Sequence, residues 1–305
     1  MKELLDGLVE KNKALIKYGQ VANYIPLLGN ADPKDLGVCI IDNLGNIYSS
    51  GIYNKKFTIQ SISKVIALML AIMDKGEEEV FKKVGMEPTD EPFNSLYKLD
   101  IPYGDKPANP MINAGAIVTT SLINGNGEEK LNRLLEFLRK ITGNDTINYN
   151  EEVYLSEKTT GNKNKAIAYL LKNKGLIEEK VEDILDIYFK QCSIEMDCQD
   201  IAKIGIFLAN KGRVLNTGEK LLDNKTNSTI IAIMTTSGMY DFSGEYAVRV
   251  GIPSKSGVSG GILASVPNRL GIGVYGPALD QYGNSIAGYG ILKDLSEELN
   301  LSIFT

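Results

Sequence analysis

The sequence predicts an α/β protein of the α+β type, in which both chain ends build one antiparallel sheet, flanked by helices, and the middle forms a helical lobe. Residues 38–50 and 257–275 each contain two short apolar runs separated by turn residues, which is typical of β-hairpins. From about residue 76 to residue 239, apolar residues recur at helical spacing. We expect one domain over residues 1–305, with a sheet lobe of residues 1–75 and 240–305, a helical lobe of residues 76–239 and the functional site between them.

The first 60 residues are expected to supply a helix and the first hairpin. Apolar residues at helical spacing between Leu4 and Ile16 predict a helix that ends near Gly19. Strands are predicted at residues 38–41 and 47–50, joined by a polar turn that contains Gly45. Residues 57–60 are expected to form a third short strand.

A central helix is predicted at residues 61–75, because the segment is apolar around its whole circumference and is closed by Gly76. Further apolar stripes predict helices around residues 131–141, 184–189 and 201–208. The second hairpin is predicted to join strands at residues 257–266 and 270–275, and a last helix to cover residues 284–299.

The composition excludes several classes of protein. The chain has no histidine, so Ser-His-Asp and Cys-His catalysis and zinc sites built on imidazole are excluded. Its 33 Lys and Arg against 38 Asp and Glu give a net charge of −5, which argues against binding to nucleic acid or to an anionic membrane. The three cysteines indicate reduced thiols. Charges within the first six residues argue against a signal peptide, so we expect a cytoplasmic protein.

Ser61 and Lys64 lie three residues apart at the start of the predicted central helix, so their side chains are neighbours on its surface. A helix N-terminus favours developing negative charge, and burial lowers the pKa of a lysine until its neutral amine can act as a base for serine. The spacing alone is a weak signal, because a polar helix cap followed by a solvent-exposed lysine gives the same pattern.

A second motif, Lys255-Ser256-Gly257, opens the last hairpin and is interpreted as a cationic residue at an edge of the sheet. Serine acyl enzymes that recognise penicillin combine S-x-x-K with a K-[ST]-G strand in this chain order. Their third motif, S-x-N or Y-x-N, is missing between Lys64 and Lys255, which counts against a β-lactamase or transpeptidase. That region instead offers Tyr240, in a turn bounded by glycines.

Longer strings make the sequence resemble one family. They are NYIPLL, QSISK, NPMINAGAIVTTSLI, LSEKTTGNKNKAIAYLL, ILDIYFKQCSIE, SGMYDFSGEYAVRVGIPSKSGVSGGI and VPNRLGIGVYGPALDQYGNSIAG, which together span nearly the whole chain. On these strings the chain resembles the short bacterial members of the serine-dependent glutaminases. The resemblance implies a β-lactamase/transpeptidase-like fold.

The resemblance also implies roles for particular residues. Ser61 would be the nucleophile, Lys64 its base partner and Tyr240 a phenol that helps to move the proton, while the backbone amides of Ser61 and Val258 would form the oxyanion hole. The implied substrate contacts are Tyr24, Gln60, Ser61, Asn113, Glu157, Asn164, Tyr188, Tyr240 and Val258. A carboxylate such as Glu157 suits the α-ammonium of free glutamine, and the amide and phenol donors of the set suit its α-carboxylate.

The implied reaction is hydrolysis of the side-chain amide of L-glutamine to L-glutamate and ammonia through a Ser61 acyl-enzyme, without a metal or an organic cofactor. A homodimer or homotetramer is implied as well. Two other interpretations are a penicillin-recognising hydrolase and a non-catalytic amino-acid binder on the same fold. The sequence leaves open whether Lys64 or Tyr240 takes the first proton, because both pKa values depend on neighbours that the sequence does not show.

Overall fold

The structure is a computed structural model that describes residues 1–89, 92–95 and 106–304. Its strands are β1 (Gly37–Asp42), β2 (Ile47–Gly51), β3 (Phe57–Thr58), β4 (Glu195–Met196), β5 (Ser254–Ser256), β6 (Gly261–Val266) and β7 (Leu270–Tyr275). Five of them form one antiparallel sheet in the order β2-β1-β7-β6-β5. As predicted, this sheet is built from both ends of the chain, because β1 pairs directly with β7.

Helices fill most of the rest of the described chain. They are α1 (Lys2–Asn12), α2 (Ser63–Lys75), α3 (Glu77–Lys83), α4 (Asn113–Leu122), α5 (Gly127–Thr142), α6 (Glu151–Thr160), α7 (Asn162–Asn173), α8 (Val181–Cys192), α9 (Cys198–Ala209), α10 (Asn224–Ser237), α11 (Ser243–Arg249) and α12 (Ile286–Leu299). Short 3₁₀ turns occupy Lys13–Tyr18, Pro26–Asn30, Gln60–Ile62 and Tyr240–Phe242. The helices predicted from apolar stripes correspond to α5, α8 and α9.

The two faces of the sheet pack against different parts of the chain. Along β1, Val38 and Ile40 join a core with the terminal helices α1 and α12, whereas Cys39 and Ile41 face the core of the middle helices. This alternation follows from the two-residue period of a strand, and here both faces are buried. The sheet is therefore a layer between the terminal helices and the helical middle of the chain.

Helix α9 lies unusually close to the sheet. A Cβ atom added at Gly273 on β7 would lie 2.1 Å from the carbonyl oxygen of Cys198, and one added at Gly205 would lie 2.4 Å from that of Ala264. Helix and strand backbones can approach this closely only where a side chain is missing. A helix from the predicted helical lobe thus lies directly on the sheet, and the division into lobes at residues 75 and 240 stays a prediction.

The predicted central helix is α2, whose residues from Ser63 to Ile72 are all buried. The short strand predicted at residues 57–60 is present but covers only Phe57–Thr58; it pairs with β4, and Gln60 begins a 3₁₀ turn. The predicted start of the strand at residues 257–266 was wrong. Residues 257–260 are not a strand, because the left-handed Gly260 (φ +102°) makes them a turn between β5 and β6.

In the parts of the chain that the structure describes, no helix has the length and apolar character needed to cross a bilayer.

Replacing Gly273 by Ala should destabilise the protein by about 1–3 kcal/mol, because the new methyl group overlaps the Cys198 carbonyl unless α9 moves away from the sheet. The change in free energy of unfolding is measured by urea denaturation.

The matched control is Gly7→Ala in α1, where an added Cβ meets nothing within 4 Å. That substitution should stabilise the protein by about 0.5–1 kcal/mol, because glycine is a poor helix former. Equal effects of the two substitutions would contradict the close helix–sheet contact.

Candidate active site

A pocket of about 560 Å³, its open mouth included, lies in front of the 3₁₀ turn that precedes α2. Eight of the ten predicted site residues line it: Tyr24, Gln60, Ser61, Asn113, Glu157, Asn164, Tyr188 and Val258. The other two, Lys64 and Tyr240, lie directly behind the lining, as their contacts below show. The sequence prediction therefore names residues that come together from many separate parts of the chain.

Ser61 lies in the 3₁₀ turn Gln60–Ile62, immediately before the first turn of α2. The residue before it, Gln60, has a left-handed backbone (φ +46°), which is uncommon for a residue with a side chain. The turn after β5 comes close to this point, since a Cβ atom at Gly257 would lie 2.6 Å from the Ile59 carbonyl oxygen. This approach places Val258 on the wall of the same pocket as Ser61.

The amine of Lys64 is completely buried and contacts neutral oxygens. It donates hydrogen bonds to the Met111 carbonyl (3.0 Å) and to Oδ1 of Asn113 (2.7 Å). Burial lowers the pKa of Lys64 to about 8, although Cys192 and Glu157 nearby oppose this shift. Near pH 7 a minor fraction of the amine is therefore neutral, which is far more than for an exposed lysine.

Asn113, the first residue of α4, connects Lys64 to the pocket wall. Because a lysine amine donates to Oδ1 of Asn113, the Nδ2 group of Asn113 must face the other way, and it donates to Oδ1 of Asn164 at 2.8 Å. The same reasoning leaves Nδ2 of Asn164 as a donor. Asn164 lines the pocket from α7, so this donor is available to a bound anion.

Tyr240 begins the 3₁₀ turn Tyr240–Phe242 and also has a left-handed backbone (φ +59°). Its phenol donates to the Ser256 carbonyl at 3.1 Å. Burial raises the pKa of Tyr240, and the nearby Ser61 side chain opposes that shift. The phenol is therefore protonated and lies beside the serine side chain.

Glu157 extends from α6 into the pocket and is buried. Among the described residues, its Oε2 atom has no hydrogen-bond partner. Burial raises the pKa of Glu157 to about 8, opposed by the side chain of Gln60 and by the charge of Lys64. A buried carboxyl with one unpaired oxygen on a pocket wall is suited to a cation, because an incoming positive charge would replace the lost hydration.

Several pocket residues were not predicted from the sequence: Ile25, Phe93, Asn94, Thr160, Gly161, Lys163 and Cys192. Helical spacing offered a signal for Cys192, which follows Tyr188 by four residues on α8 and so shares its face. Lys163 directly precedes Asn164. Phe93 had no sequence signal of this kind, although its ring lies 4.7 Å from that of Tyr240, centroid to centroid.

Within the described residues, no group of three or more cysteine, aspartate or glutamate side chains is placed to hold a metal ion. That the reaction needs no metal or cofactor stays a prediction.

The sheet built from both chain ends, the Ser61–Lys64 pair before the central helix and Lys255 on the edge strand β5 define a protein of the β-lactamase-like fold. A family model described as Glutaminase matches residues 19–304. A glutaminase of Clostridioides difficile is 58% identical over 302 residues, which are 99% of this chain and 98% of the relative. Glutaminase 2 of Clostridium perfringens is 55% identical over the full length of both chains.

Solved structures agree. A probable glutaminase of Bacillus subtilis superposes with a TM-score of 0.94 at 40% identity, covering 99% of this chain and 97% of the other. A further structure is the covalent complex of the Bacillus subtilis glutaminase with 5-oxo-L-norleucine, formed by reaction with 6-diazo-5-oxo-L-norleucine. It has a TM-score of 0.91 at 40% identity and covers 99% of each chain. The chain belongs to the glutaminase family and is an amidohydrolase.

Glu157→Gln should stabilise the protein at alkaline pH, because it removes a buried charge. The folded-state pKa of about 8 lies above the ordinary value of 4.5, so the folded protein binds more protons and loses stability as the pH rises from 4.5 through 8. The melting temperature of the variant should exceed that of the wild type at pH 9, by about 2–4 °C per kcal/mol gained, and the difference should vanish near pH 4.5. A difference that does not depend on pH would contradict the burial of the charge.

Proposed function

We propose that this amidohydrolase cleaves the side-chain amide of L-glutamine to L-glutamate and ammonia through an acyl-enzyme on Ser61. The observation that carries the proposal is the placement of one serine beside a buried phenol, on the wall of a pocket backed by a buried lysine whose pKa is lowered to about 8. Serine is a weak nucleophile until a neighbouring base takes its proton, and this chain has no histidine to do so. Lys64 and Tyr240 are the groups that we propose take over this proton transfer.

The pocket suits a free α-amino acid with a neutral side chain. Glu157 gives up its proton as the α-ammonium enters and then offers a countercharge. The Nδ2 group of Asn164 and the phenol of Tyr188 are donors for the α-carboxylate. The glutaminase structure with covalently attached 5-oxo-L-norleucine supports this substrate, because the compound that reacted, 6-diazo-5-oxo-L-norleucine, is a chemical analogue of glutamine. The relatives named glutaminase support the same substrate.

The hydrogen bonds of Lys64 favour it as the group that receives the serine proton. A neutral amine has two N–H groups and one lone pair, and the two N–H groups are taken by the Met111 carbonyl and Asn113. The lone pair therefore remains to accept a proton. We infer that the Ser61 proton ends on Lys64 as Ser61 Oγ bonds to the amide carbon.

Tyr240 then supplies the proton that the leaving group needs. The carbon–nitrogen bond breaks, ammonia leaves with the phenol proton, and Lys64 returns its proton to the Tyr240 oxygen. The backbone amides of Ser61 and Val258 hold the oxyanion in this proposal, supported by the approach of the turn after β5 to the 3₁₀ turn of Ser61. Water then attacks the γ-glutamyl ester: its proton goes to Lys64, Tyr240 returns a proton to Ser61 Oγ, and glutamate is released.

Ser61→Ala should abolish ammonia release from L-glutamine, because no other hydroxyl is proposed to form the ester. The matched control is Ser63→Ala: this neighbouring serine is buried but contacts Sγ of Cys192. Ammonia is measured with saturating glutamine, and the γ-glutamyl enzyme is trapped by acid quench and detected by mass. Ammonia release by folded Ser61→Ala would overturn the proposed nucleophile.

The two alternative functions predict different results in the same assay. A non-catalytic binder would release no ammonia from wild-type protein, and a penicillin-recognising hydrolase would turn over nitrocefin in its place.

Glu157→Gln should weaken glutamine binding by about 1–3 kcal/mol, or about 5- to 150-fold, because the α-ammonium loses its countercharge. KM should rise accordingly for glutamine. N-acetyl-glutamine, which lacks the ammonium, should bind wild type and variant alike. An unchanged KM for glutamine would show that the ammonium binds elsewhere, without bearing on Ser61.

Homodimer or homotetramer formation, the cytoplasmic location and the absence of nucleic-acid and membrane partners stay predictions.

A further inference from the structure

Lys255 is a second completely buried lysine near the pocket, and neither substrate binding nor the reaction above uses it. It lies on β5, yet it is not among the residues that line the pocket. Instead its amine lies 4.2 Å from the centre of the Tyr240 ring. The amine therefore touches the proposed proton donor and not the substrate.

Three groups of the described residues contact the Lys255 amine, and each of them accepts a hydrogen bond or attracts a cation. The amine donates to the carbonyl oxygens of Gly238 (3.0 Å) and Ser256 (2.5 Å), and its third direction meets the face of the Tyr240 ring. Three such neighbours match the three N–H groups of an ammonium, and the face of an aromatic ring attracts a cation. None of these three groups donates a hydrogen bond to the lone pair of a neutral amine, so the contacts favour the ammonium.

Within the described chain, the amine of Lys64 has fewer contacts that favour an ammonium. It has two hydrogen-bond acceptors, and the nearest ring, that of Phe93, has its centroid 5.9 Å away, at the outer limit for a cation–π contact. Burial and the charge of Lys64 lower the pKa of Lys255 well below its usual range, so the two amines compete for one proton. A proton on Lys255 therefore depends on its contacts, and two carbonyls with a ring face at 4.2 Å solvate an ammonium better than the two acceptors of Lys64 do.

We propose that Lys255 is a positioning residue that holds a permanent positive charge behind the ring of Tyr240, and that this charge keeps Lys64 a neutral base and Tyr240 a ready proton donor. The proposal rests on the proposed function. A cation beside the ring stabilises the phenolate that forms when Tyr240 gives up its proton, and it disfavours a second ammonium at Lys64.

The backbone carbonyls that bind Lys255 are closely packed. Gly238, whose carbonyl accepts from Lys255, has no room for a side chain, because a Cβ atom there would lie 1.8 Å from the Ser254 carbonyl oxygen. The Ser256 carbonyl accepts from both Lys255 and the Tyr240 phenol. One strand thus fixes the ammonium and the phenol to a common oxygen.

Other titratable groups act on the same three residues and are present in every variant used below. They are Glu157, Cys192, Asp280, Tyr24 and Tyr188. The test uses kcat at saturating glutamine, where Glu157 is occupied by the substrate and contributes least to the pH profile.

Lys255→Met keeps an unbranched apolar chain and removes the charge. At pH 7, kcat should fall by about 10- to 100-fold while KM changes by less than about threefold, since Lys255 does not touch the substrate. The acid limb of the kcat profile should move to higher pH by about one unit, because Lys64 no longer has a cation nearby. Lys255→Gln, which keeps hydrogen-bond donors without the charge, should behave in the same way and serves if the Met variant does not fold.

The matched control is Lys130→Met. Lys130 is also buried and donates to the Ser121 carbonyl and to Glu179, and none of these three residues lines the pocket. Its replacement should lower the melting temperature and leave kcat and its pH profile unchanged. This separates loss of a buried lysine from loss of charge at the site.

A double-mutant cycle with Tyr240→Phe completes the test. Phe keeps the ring and removes the proton, so adding Lys255→Met to Tyr240→Phe should cost much less in kcat than in the wild type. Folded Lys255 variants with wild-type kcat and an unmoved acid limb would overturn the proposal, as would fully additive losses. Wild-type ammonia release that depends on Ser61 would leave the proposed function standing in either case.

Discussion

The proposed chemistry of the site depends on the burial of two lysine amines among neutral oxygens and aromatic rings. Removing an ammonium from water is costly unless other groups solvate it, and this cost lowers the pKa of Lys64 to the range that its proposed role as a base requires. Three of the four hydrogen bonds that the two amines donate to described residues go to backbone carbonyls, those of Met111, Gly238 and Ser256. Backbone groups cannot rotate away, so the electrostatics of the site are set by the fold.

The fold provides this enclosure by bringing distant segments to one place. Pairing of β1 with β7 brings the chain ends together, and the turn after β5 then closes over the 3₁₀ turn that carries Ser61. The middle of the chain contributes the opposite wall through helices α4, α6, α7 and α8. A glycine-lined contact holds α9, a helix from the middle of the chain, directly against the sheet.

Much of this architecture follows from local sequence patterns, and the parts that do not follow depend on long-range contacts. Hairpin signals and apolar stripes sufficed for the sheet from both chain ends and for the buried central helix. The pairing of Phe57–Thr58 with Glu195–Met196 was missed, because two-residue strands have no periodicity to detect. The sequence motif indicated Lys255 as a residue at a sheet edge, which is where β5 lies, but no pattern shows that its amine turns behind Tyr240. Phe93 was missed for the same reason.

Two residues of the site, Gln60 and Tyr240, hold left-handed backbone conformations. Such conformations cost a side-chain-bearing residue of the order of 1 kcal/mol or more, and β-branched residues tolerate them worst. Sequence change at positions 60 and 240 is therefore limited twice, once by chemistry and once by the shape of the main chain. A designer who wished to alter the amide or the phenol would do best with unbranched replacements, since valine or isoleucine would disturb the turns before any question of reactivity arose.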